Sequence, residues 1–235
     1  MLAERRYALE TSPLFTGLPA PAIAMLETVS RRLIYRRGEV IFRQGEFGDT
    51  LHIIEHGKVK VTMPIAGGVD FVVDILGRGE SFGELDLFEG HGRTSTLEAL
   101  TDLETLAVPQ PIYLQVARAY PEALERLLAM TAGRLRRAHE LAADLAHLDL
   151  AGRVAKILLQ LAQAYGDPRD GTSVIDLPIT QTDLAAMVGG SRESINKTVG
   201  WYETIGALER RGRRLIVVNP ELLQRQVTLR TRLAV

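Results

Sequence analysis

The chain has 235 residues, 46% hydrophobic and 24% charged, with a formal net charge of −1 and no cysteine. That size suits one large or two modest domains, each with its own core, and the composition is that of an ordinary soluble globular protein. Without cysteine there is no disulfide and no cysteine-ligated iron–sulfur cluster. No apolar run reaches membrane-spanning length, and the N-terminal MLAERRYALE lacks the apolar core of a signal peptide, so a cytoplasmic location without membrane contact is expected. Charge is uneven along the chain. Ala151–Val235 holds 12 Lys and Arg against 8 Asp and Glu, whereas the part before it holds 16 against 21. A basic C-terminal part beside an acidic N-terminal part suits a nucleic-acid-facing domain joined to a sensing domain.

In chain order, the stretch from Pro13 begins with Leu14-Phe15 and continues through AIAMLETVSRRL, which reads as a short amphipathic helix. From Ile34 to Pro109 the texture is that of strands: EVIFRQ, TLHIIEH, KVKVTM, DFVVDIL and LETLAVP alternate with glycine turns. Many short strands at regular spacing predict an all-β sandwich or barrel. Pro121–Leu148 then reads as one long helix. Its seam, Leu124, Leu128, Thr131, Leu135, Ala138, Ala142 and Leu145, steps by 4 and 3 in turn, as in a two-stranded coiled coil. Leu127, Leu141 and Leu148 widen that stripe enough for the helix to pack on its own domain instead. A helix of about 28 residues is ~40 Å long, which favours self-pairing.

Asp149 breaks the period, and LAGRVAKILLQLAQAYG opens a second domain whose first helix buries Val154, Ile157, Leu158 and Leu161. After a loop at Gly166–Gly171, VIDLPI reads as a short strand. Thr180–Leu208 follows, two helices around a tight turn. Thr180 and Asp183 have capping-box spacing, and Leu184, Ala185 and Val188 form an inner face. Gly189 and Gly190 end the first helix; Ser191 caps the second, whose inner face is Ile195, Val199 and Tyr202. Arg192, Glu193, Asn196 and Lys197 are left on the outer face, at the start of the second helix. That is where a helix-turn-helix reads the major groove. LERRGRRLIVV reads as a hairpin with Gly212 at its tip, and Asn219 and Pro220 start a last short helix.

In the β-rich part, Gly83 starts a tight turn into a short helical segment, Glu84–Phe88, and Arg93-Thr94 follow nine residues after Glu84. Backbone N–H groups at such a start favour anions. A phosphate suits the donor fork of Arg93 and the hydroxyl of Thr94, and a ribose hydroxyl suits a carboxylate such as Glu84. The plain alternative is that Glu84 and Arg93 pair with each other. His52 and His56, at i and i+4 on a strand, have no acidic or cysteinyl companion for a metal. His91 and His147 read as surface residues, and Trp201 with Tyr202 as core. No catalytic triad, metal cluster or Walker loop is present, so catalysis is not expected.

Two stretches carry a resemblance. SRESINK after ITQTDLAAMVGG resembles the DNA-binding segment of the CRP/FNR family of bacterial regulators, and FGELDLFEGHGRTS resembles that family's phosphate-binding cassette. The similarity extends over roughly Leu14–Asn219. It implies an α+β fold with an N-terminal cyclic-nucleotide-binding β jelly roll (1–120), a long dimerisation helix with its hinge (121–149) and a C-terminal winged helix-turn-helix (150–235). It further implies that Gly83, Glu84 and Leu85 hold the ribose and phosphate edge, and that Arg93 and Thr94 hold a cyclic phosphate. The expected effector is cAMP. Ala138 and His139 stand where cAMP-responsive members offer hydroxyl or amide groups to the adenine, and only His139 offers a hydrogen bond. Arg192, Glu193 and Lys197 would contact bases of a near-palindromic duplex beside Ser191. Thr180, Gln181, Arg210, Arg211, Arg213 and Arg214 would contact phosphates. The implied partners are double-stranded DNA, a second copy of the chain and RNA polymerase, with a switch that moves the recognition helices about Asp149. A ligand-independent activator with a vestigial pocket, and a nucleotide-binding module acting on a protein, are the alternatives.

Overall fold

The computed structural model describes residues 2–65, 70–85, 92–169, 172–175, 177–212 and 214–232. The chain divides into two compact units, Met1–Arg136 and Arg137–Val235. In the first unit, helices α1 (Leu2–Thr11) and α2 (Ala20–Val29) precede eight strands. These are β1 (Arg31–Tyr35), β2 (Val40–Phe42), β3 (Thr50–His56), β4 (Val59–Pro64), β5 (Asp70–Leu76), β6 (Ser81–Phe82), β7 (Thr96–Ala99) and β8 (Leu103–Pro109). Helices α3 (Gln110–Ala119) and α4 (Glu122–His147) follow, and the boundary between the two units falls inside α4.

The strands form two antiparallel four-stranded sheets, in the orders β1-β8-β3-β6 and β2-β7-β4-β5. Between them lies one core, with Phe42, Ile54, Phe82, Leu97 and Leu103. The other face of the first sheet contributes Leu51, Ile53, Leu106 and Val108 to a second core under α1–α4, with Phe15, Leu26 and Tyr113. Strand β3 is therefore buried on both faces, with Leu51, His52, Ile53 and Ile54 buried in succession. Strands β2, β3, β5 and β8 lie within the runs expected from sequence, and β4 runs one residue past KVKVTM. The helix expected over AIAMLETVSRRL ends at Val29, and its last residues, Arg31 to Leu33, belong to the edge strand β1 instead. Strands β6 and β7 and helices α1 and α3 carry no such signal; α3 has Pro111 in its first turn.

The fold uses α4 twice. Ala123 and Leu127 are buried against their own domain, whereas Leu124, Leu128 and Leu135 are 46%, 69% and 57% exposed. Of the single widened stripe expected from sequence, Leu127 is thus buried while the seam residues Leu124, Leu128 and Leu135 are exposed.

In the second unit, α5 (Leu150–Tyr165) starts at an Asp149 cap whose Oδ1 accepts from Gly152 N at 2.9 Å. Strands β9 (Gly166–Arg169) and β10 (Thr172–Ile175) join β11 (Leu208–Arg211) and β12 (Arg214–Val217) in the order β11-β12-β10-β9. The stretch expected as the Gly166–Gly171 loop thus contains β9, and the expected VIDLPI strand ends at Ile175. Helices α6 (Gln181–Val188) and α7 (Arg192–Thr204) form the helix-turn-helix, and α8 (Pro220–Arg232) closes the unit, capped by Asn219 Oδ1 on Leu222 N at 3.2 Å.

Gly57, in the β3–β4 turn, has φ +90°, and a Cβ there would lie 2.2 Å from the Asp102 carbonyl oxygen. A left-handed backbone costs an L-residue about 1–2 kcal/mol before the clash is counted. Gly57→Ala should therefore lower the thermal midpoint of the β domain by roughly 4–8 °C, read by calorimetry. An unchanged midpoint would mean that the turn relaxes freely.

Candidate ligand pocket and nucleic-acid interface

The β domain buries two opposite charges close to its cassette. Glu84 is 2% exposed; its Oε1 accepts from Arg134 Nη1, and Arg134 Nη2 also donates to Ser81 O. Glu84 Oε2 is buried with no hydrogen-bond partner among the described residues. Leaving a buried acceptor unmatched costs about 1–3 kcal/mol, so this oxygen is an acceptor in want of a donor. The simple Glu84–Arg93 pair considered from sequence gives way to Glu84–Arg134.

Arg93, 5% exposed, is held from several sides. Its Nη1 donates to Gly83 O at 3.3 Å and its Nη2 to Thr50 O at 3.1 Å, with Cζ 4.0 Å above the Phe42 ring. The backbone is clasped too: Arg93 N donates to Glu46 O and Gly45 N to Arg93 O, each at 2.8 Å. Two glycines make room for the guanidinium. A Cβ on Gly48 would lie 2.1 Å from Arg93 Nε, and one on Gly83, where φ is +83°, 2.6 Å from Nη1. The Gly83 turn predicted from sequence is therefore real and serves this arginine. Thr94 and Leu85 are exposed beside it. The helical segment expected at Glu84–Phe88 and the loop residue His91 lie largely or wholly outside the described residues.

His52 belongs to the same inner layer. Its ring stacks on Phe82 at 4.7 Å and 6°, and Nδ1 shares a 3.3 Å hydrogen bond with Thr105 Oγ1. Burial, with the Arg93 charge second, lowers its pKa from 6.5 to about 3. His56 lies beyond an irregularity in the β3–β8 register and is exposed, so the two histidines do not share a site. Among the described residues no group of three or more His, Cys, Asp or Glu is placed to hold a metal.

Sequence reading missed Arg134. It lies fifty residues from Glu84, on a helix read for its apolar seam, and no local spacing links the two. His139, expected at the base end of a ligand, is exposed on α4 in the second unit, as is Ala138. His147 is exposed as expected.

In the helix-turn-helix the capping predicted from sequence is present. Thr180 Oγ1 accepts from Asp183 N at 3.1 Å while Asp183 Oδ2 accepts from Thr180 N at 2.8 Å and Thr180 Oγ1 at 2.7 Å. Gly189 takes φ +64°, and Ser191 Oγ accepts from Ser194 N at 3.1 Å. Leu184, Ala185, Val188, Ile195, Val199 and Tyr202 are buried. Trp201, expected in the core, is 38% exposed; its ring lies 4.9 Å from that of Tyr202. Arg192, Glu193, Asn196 and Lys197 are all exposed, with Lys197 Nζ 2.8 Å from Glu193 Oε1, and Gln181 is half-buried. In the hairpin, Arg211 pairs with Glu209 at 2.8 Å and Arg210 with Glu203 at 3.2 Å; Arg214 is exposed. The pairing holds the Glu209 carboxyl below its ordinary value. Arg213 lies outside the described residues.

The depressed His52 pKa has a defined sign. Above pH 6.5 the ring is neutral folded or unfolded, and its contribution is flat. Below 6.5 the unfolded chain takes a proton that the folded chain refuses until about pH 3. Stability is therefore lost by up to about 1.4 kcal/mol per pH unit as pH falls through that window. Urea midpoints between pH 7.5 and 4.5 should be less pH-dependent in His52→Leu, and superimposable profiles would rule this out.

Comparison with known proteins agrees with both halves. The cyclic nucleotide-binding domain family matches residues 32–120, and the Crp-like helix-turn-helix domain family matches residues 152–226. The "CRP-like cAMP-activated global transcriptional regulator" of Mycobacterium tuberculosis H37Rv is 34% identical over 93% of this chain and 97% of its own. The "Cyclic AMP receptor protein" of Thermus thermophilus is 34% identical over 81% of this chain and 85% of its own. A solved CRP/FNR-family transcriptional regulator, also from Thermus thermophilus, superposes with a TM-score of 0.72 at 26% identity, over 85% of this chain and all of its own. The chain belongs to the CRP/FNR family of DNA-binding transcriptional regulators, a family of regulators rather than enzymes, and carries the family's cyclic-nucleotide domain.

Proposed function

We propose that the chain is a homodimeric transcription factor, resident in the cytoplasm, whose DNA binding is controlled by a cyclic nucleotide in the β domain, with cAMP as that nucleotide. The carrying observation is the buried, half-satisfied Glu84 carboxylate near an arginine cradled by glycines. A ribose hydroxyl supplies the donor that Glu84 Oε2 wants, and a cyclic phosphate supplies the anion for Arg93, with Thr94 and the Gly83–Leu85 backbone beside it. Arg134 orients Glu84 and offsets its charge. The curated relatives named for cAMP support that nucleotide. The base end is less well provided, since Ala138 offers no hydrogen bond and His139 one. That loss is worth about 0.5–1.5 kcal/mol, roughly tenfold in affinity at most, and leaves cAMP in place.

On the DNA side, Arg192, Glu193 and Lys197, next to the Ser191 cap, are the base readers, with Arg fitting guanine and Glu the cytosine amine. Thr180, Gln181, Arg210, Arg211, Arg213 and Arg214 are phosphate contacts that add affinity and salt dependence. Two half-sites one turn apart, about 34 Å, call for two copies, and RNA polymerase is the downstream partner. The three-part division at residues 120 and 149 follows from this reading: sensor, pairing helix and reader.

Calorimetry with cAMP and cGMP, joined to gel shifts on a half-site palindrome, tests the pocket. Arg93→Ala should weaken cAMP binding at least about tenfold and remove cAMP-stimulated DNA binding, since hydrogen bonds to charged groups contribute about 1.5–3 kcal/mol each. Stimulation that survives in Arg93→Ala would instead make the cassette vestigial.

The exposed face of α4 tests the dimer. Leu128 is 69% exposed in the protomer, so Leu128→Glu leaves the fold intact while placing a charge in the proposed seam. Sedimentation should show monomers for this variant and dimers for the parent. A dimeric Leu128→Glu would remove α4 as the pairing element.

A further inference from the structure

Helix α4 grips the edge of the cassette at two successive levels, both inside the first compact unit. At the first, Ser81, 1% exposed in β6, donates its hydroxyl to Met130 Sδ at 3.1 Å. At the second, one turn further along the helix, Arg134 Nη2 donates to Ser81 O and Nη1 to Glu84 Oε1. On its other side the short strand is fixed to β3, with Ile53 opposite Ser81 and His52 opposite Phe82. Strand β6 runs straight into the Gly83 turn and Glu84. The separation of α4 from Ser81 therefore sets how Arg134 meets the buried carboxylate.

The face of α4 that makes this grip is not the proposed pairing seam. Ala123, Leu127, Met130 and Arg134 follow one another by 4, 3 and 4 residues. Leu124, Leu128, Thr131 and Leu135 each stand one residue later, about 100° around the helix. Pairing through that seam leaves Met130 turned to its own domain, packed against the core that holds Phe15 and Tyr113. Met130 is half-buried, neither sealed like Met187 at 5% exposure nor open like Met63 at 43%. A thioether is a weak acceptor, so the buried Ser81 hydroxyl is poorly matched by it. It is also a group that oxidants convert to a polar sulfoxide.

We propose that Met130 is an oxidation site that governs the cassette's hold on its nucleotide: a hydroperoxide converts the thioether to the sulfoxide, whose oxygen parts α4 from β6 and Arg134 from Glu84. A sulfur lone pair takes one peroxide oxygen, an S–O bond forms and the O–O bond breaks. Sulfur is oxidised by two electrons, and the departing hydroxide takes the proton of the transferred oxygen and leaves as water. The new oxygen accepts from Ser81 Oγ, at the usual distance of about 2.7 Å. A sulfur and a hydroxyl 3.1 Å apart leave no room for such an atom between them, so Met130 and Ser81 separate. Arg134, four residues on along the same face, moves with the helix, and Glu84 loses the guanidinium that makes its burial tolerable. Only the consequence for affinity rests on the cyclic-nucleotide reading; the oxidation and the loosening of β6 need no ligand.

The test uses the full-length chain carrying Met63→Leu, which removes the exposed thioether, treated with dilute hydrogen peroxide. Peptide mass spectrometry should place one added oxygen on Met130 before Met187. Without nucleotide, amide hydrogen exchange over Ser81–Glu84 should quicken after treatment. Calorimetry should show cAMP bound about tenfold more weakly than by the same protein untreated, the scale of one lost hydrogen bond to a charged group. Methionine sulfoxide reductases should restore both readouts, which general damage to the fold would not allow. Adding Met130→Leu, a swap that conserves volume, should make exchange and affinity the same before and after treatment. Met187 oxidised ahead of Met130, exchange unchanged after full oxidation of Met130, or an equal loss of affinity in the Met130→Leu protein would each overturn the proposal. Should the untreated protein not bind cAMP, the cyclic-nucleotide reading fails, while the mass and exchange measurements still decide for or against Met130.

Discussion

A carboxylate removed from water is tolerated only when something offsets its charge, because the desolvation penalty of an isolated ion runs to several kcal/mol. Glu84 meets that condition through Arg134 alone among its described side-chain partners, and Arg134 belongs to α4, the helix that runs on into the second unit. The buried carboxylate and the first part of the long helix are therefore tied by one ion pair. Half-satisfied buried polar groups are costly, which makes them sensitive to a ligand that completes them.

Helix α4 must satisfy two sets of demands at once. Its first turns bury Ala123 and Leu127 under the β domain, while Leu124, Leu128 and Leu135 remain open on another side. A helix with apolar residues on two faces is uneconomical in a monomer, since exposed leucines gain nothing from folding. The proposed dimer would account for both sets, one face anchoring the helix on its own domain and the other meeting a second copy.

Legibility from sequence followed the range of the interactions. The helix-turn-helix was readable almost residue by residue, because its signals are local: Thr180 with Asp183, the Gly189 turn, the Ser191 cap, and an inner face at helical spacing. Strands β3, β5 and β8 were readable at their ends because glycine, proline or aspartate flanks them. Strand β1 was not, since an edge strand of RRLIY has no buried alternation; its pattern is mostly exposed. Helices α1 and α3 were lost for a related reason, as their apolar residues face a core assembled from several other elements. In the pocket, Gly83, Glu84 and Arg93 were legible as chemistry, but their true partners were not. Arg134, Thr50, Gly48 and Phe42 reach the cassette through the fold, from tens of residues away, and no spacing in the chain announces them. His52 and His56, which a regular strand would place on one face, are separated by the irregular β3–β8 register.

Modest net charge and a DNA-reading role are reconciled by where the cations are kept. Lys197 is paired with Glu193, Arg211 with Glu209 and Arg210 with Glu203, each pair open to solvent at least in part. Such surface pairs are worth about 0–1 kcal/mol, so a phosphate or a base edge displaces them at little cost. If these cations face DNA as proposed, the paired carboxylates would reduce the field they project and so hold down sequence-independent attraction to a duplex. On the proposed assignment of base readers, a specific site would offer Glu193 a cytosine amine and Lys197 a guanine acceptor, so both members of that pair would be re-satisfied at once. Discrimination would then come from the difference between a pair that is broken and rebuilt against bases and one that is only broken. A site presenting the wrong edges would leave Glu193 beside phosphates with no donor, and that carboxylate would act as the repulsive element of specificity.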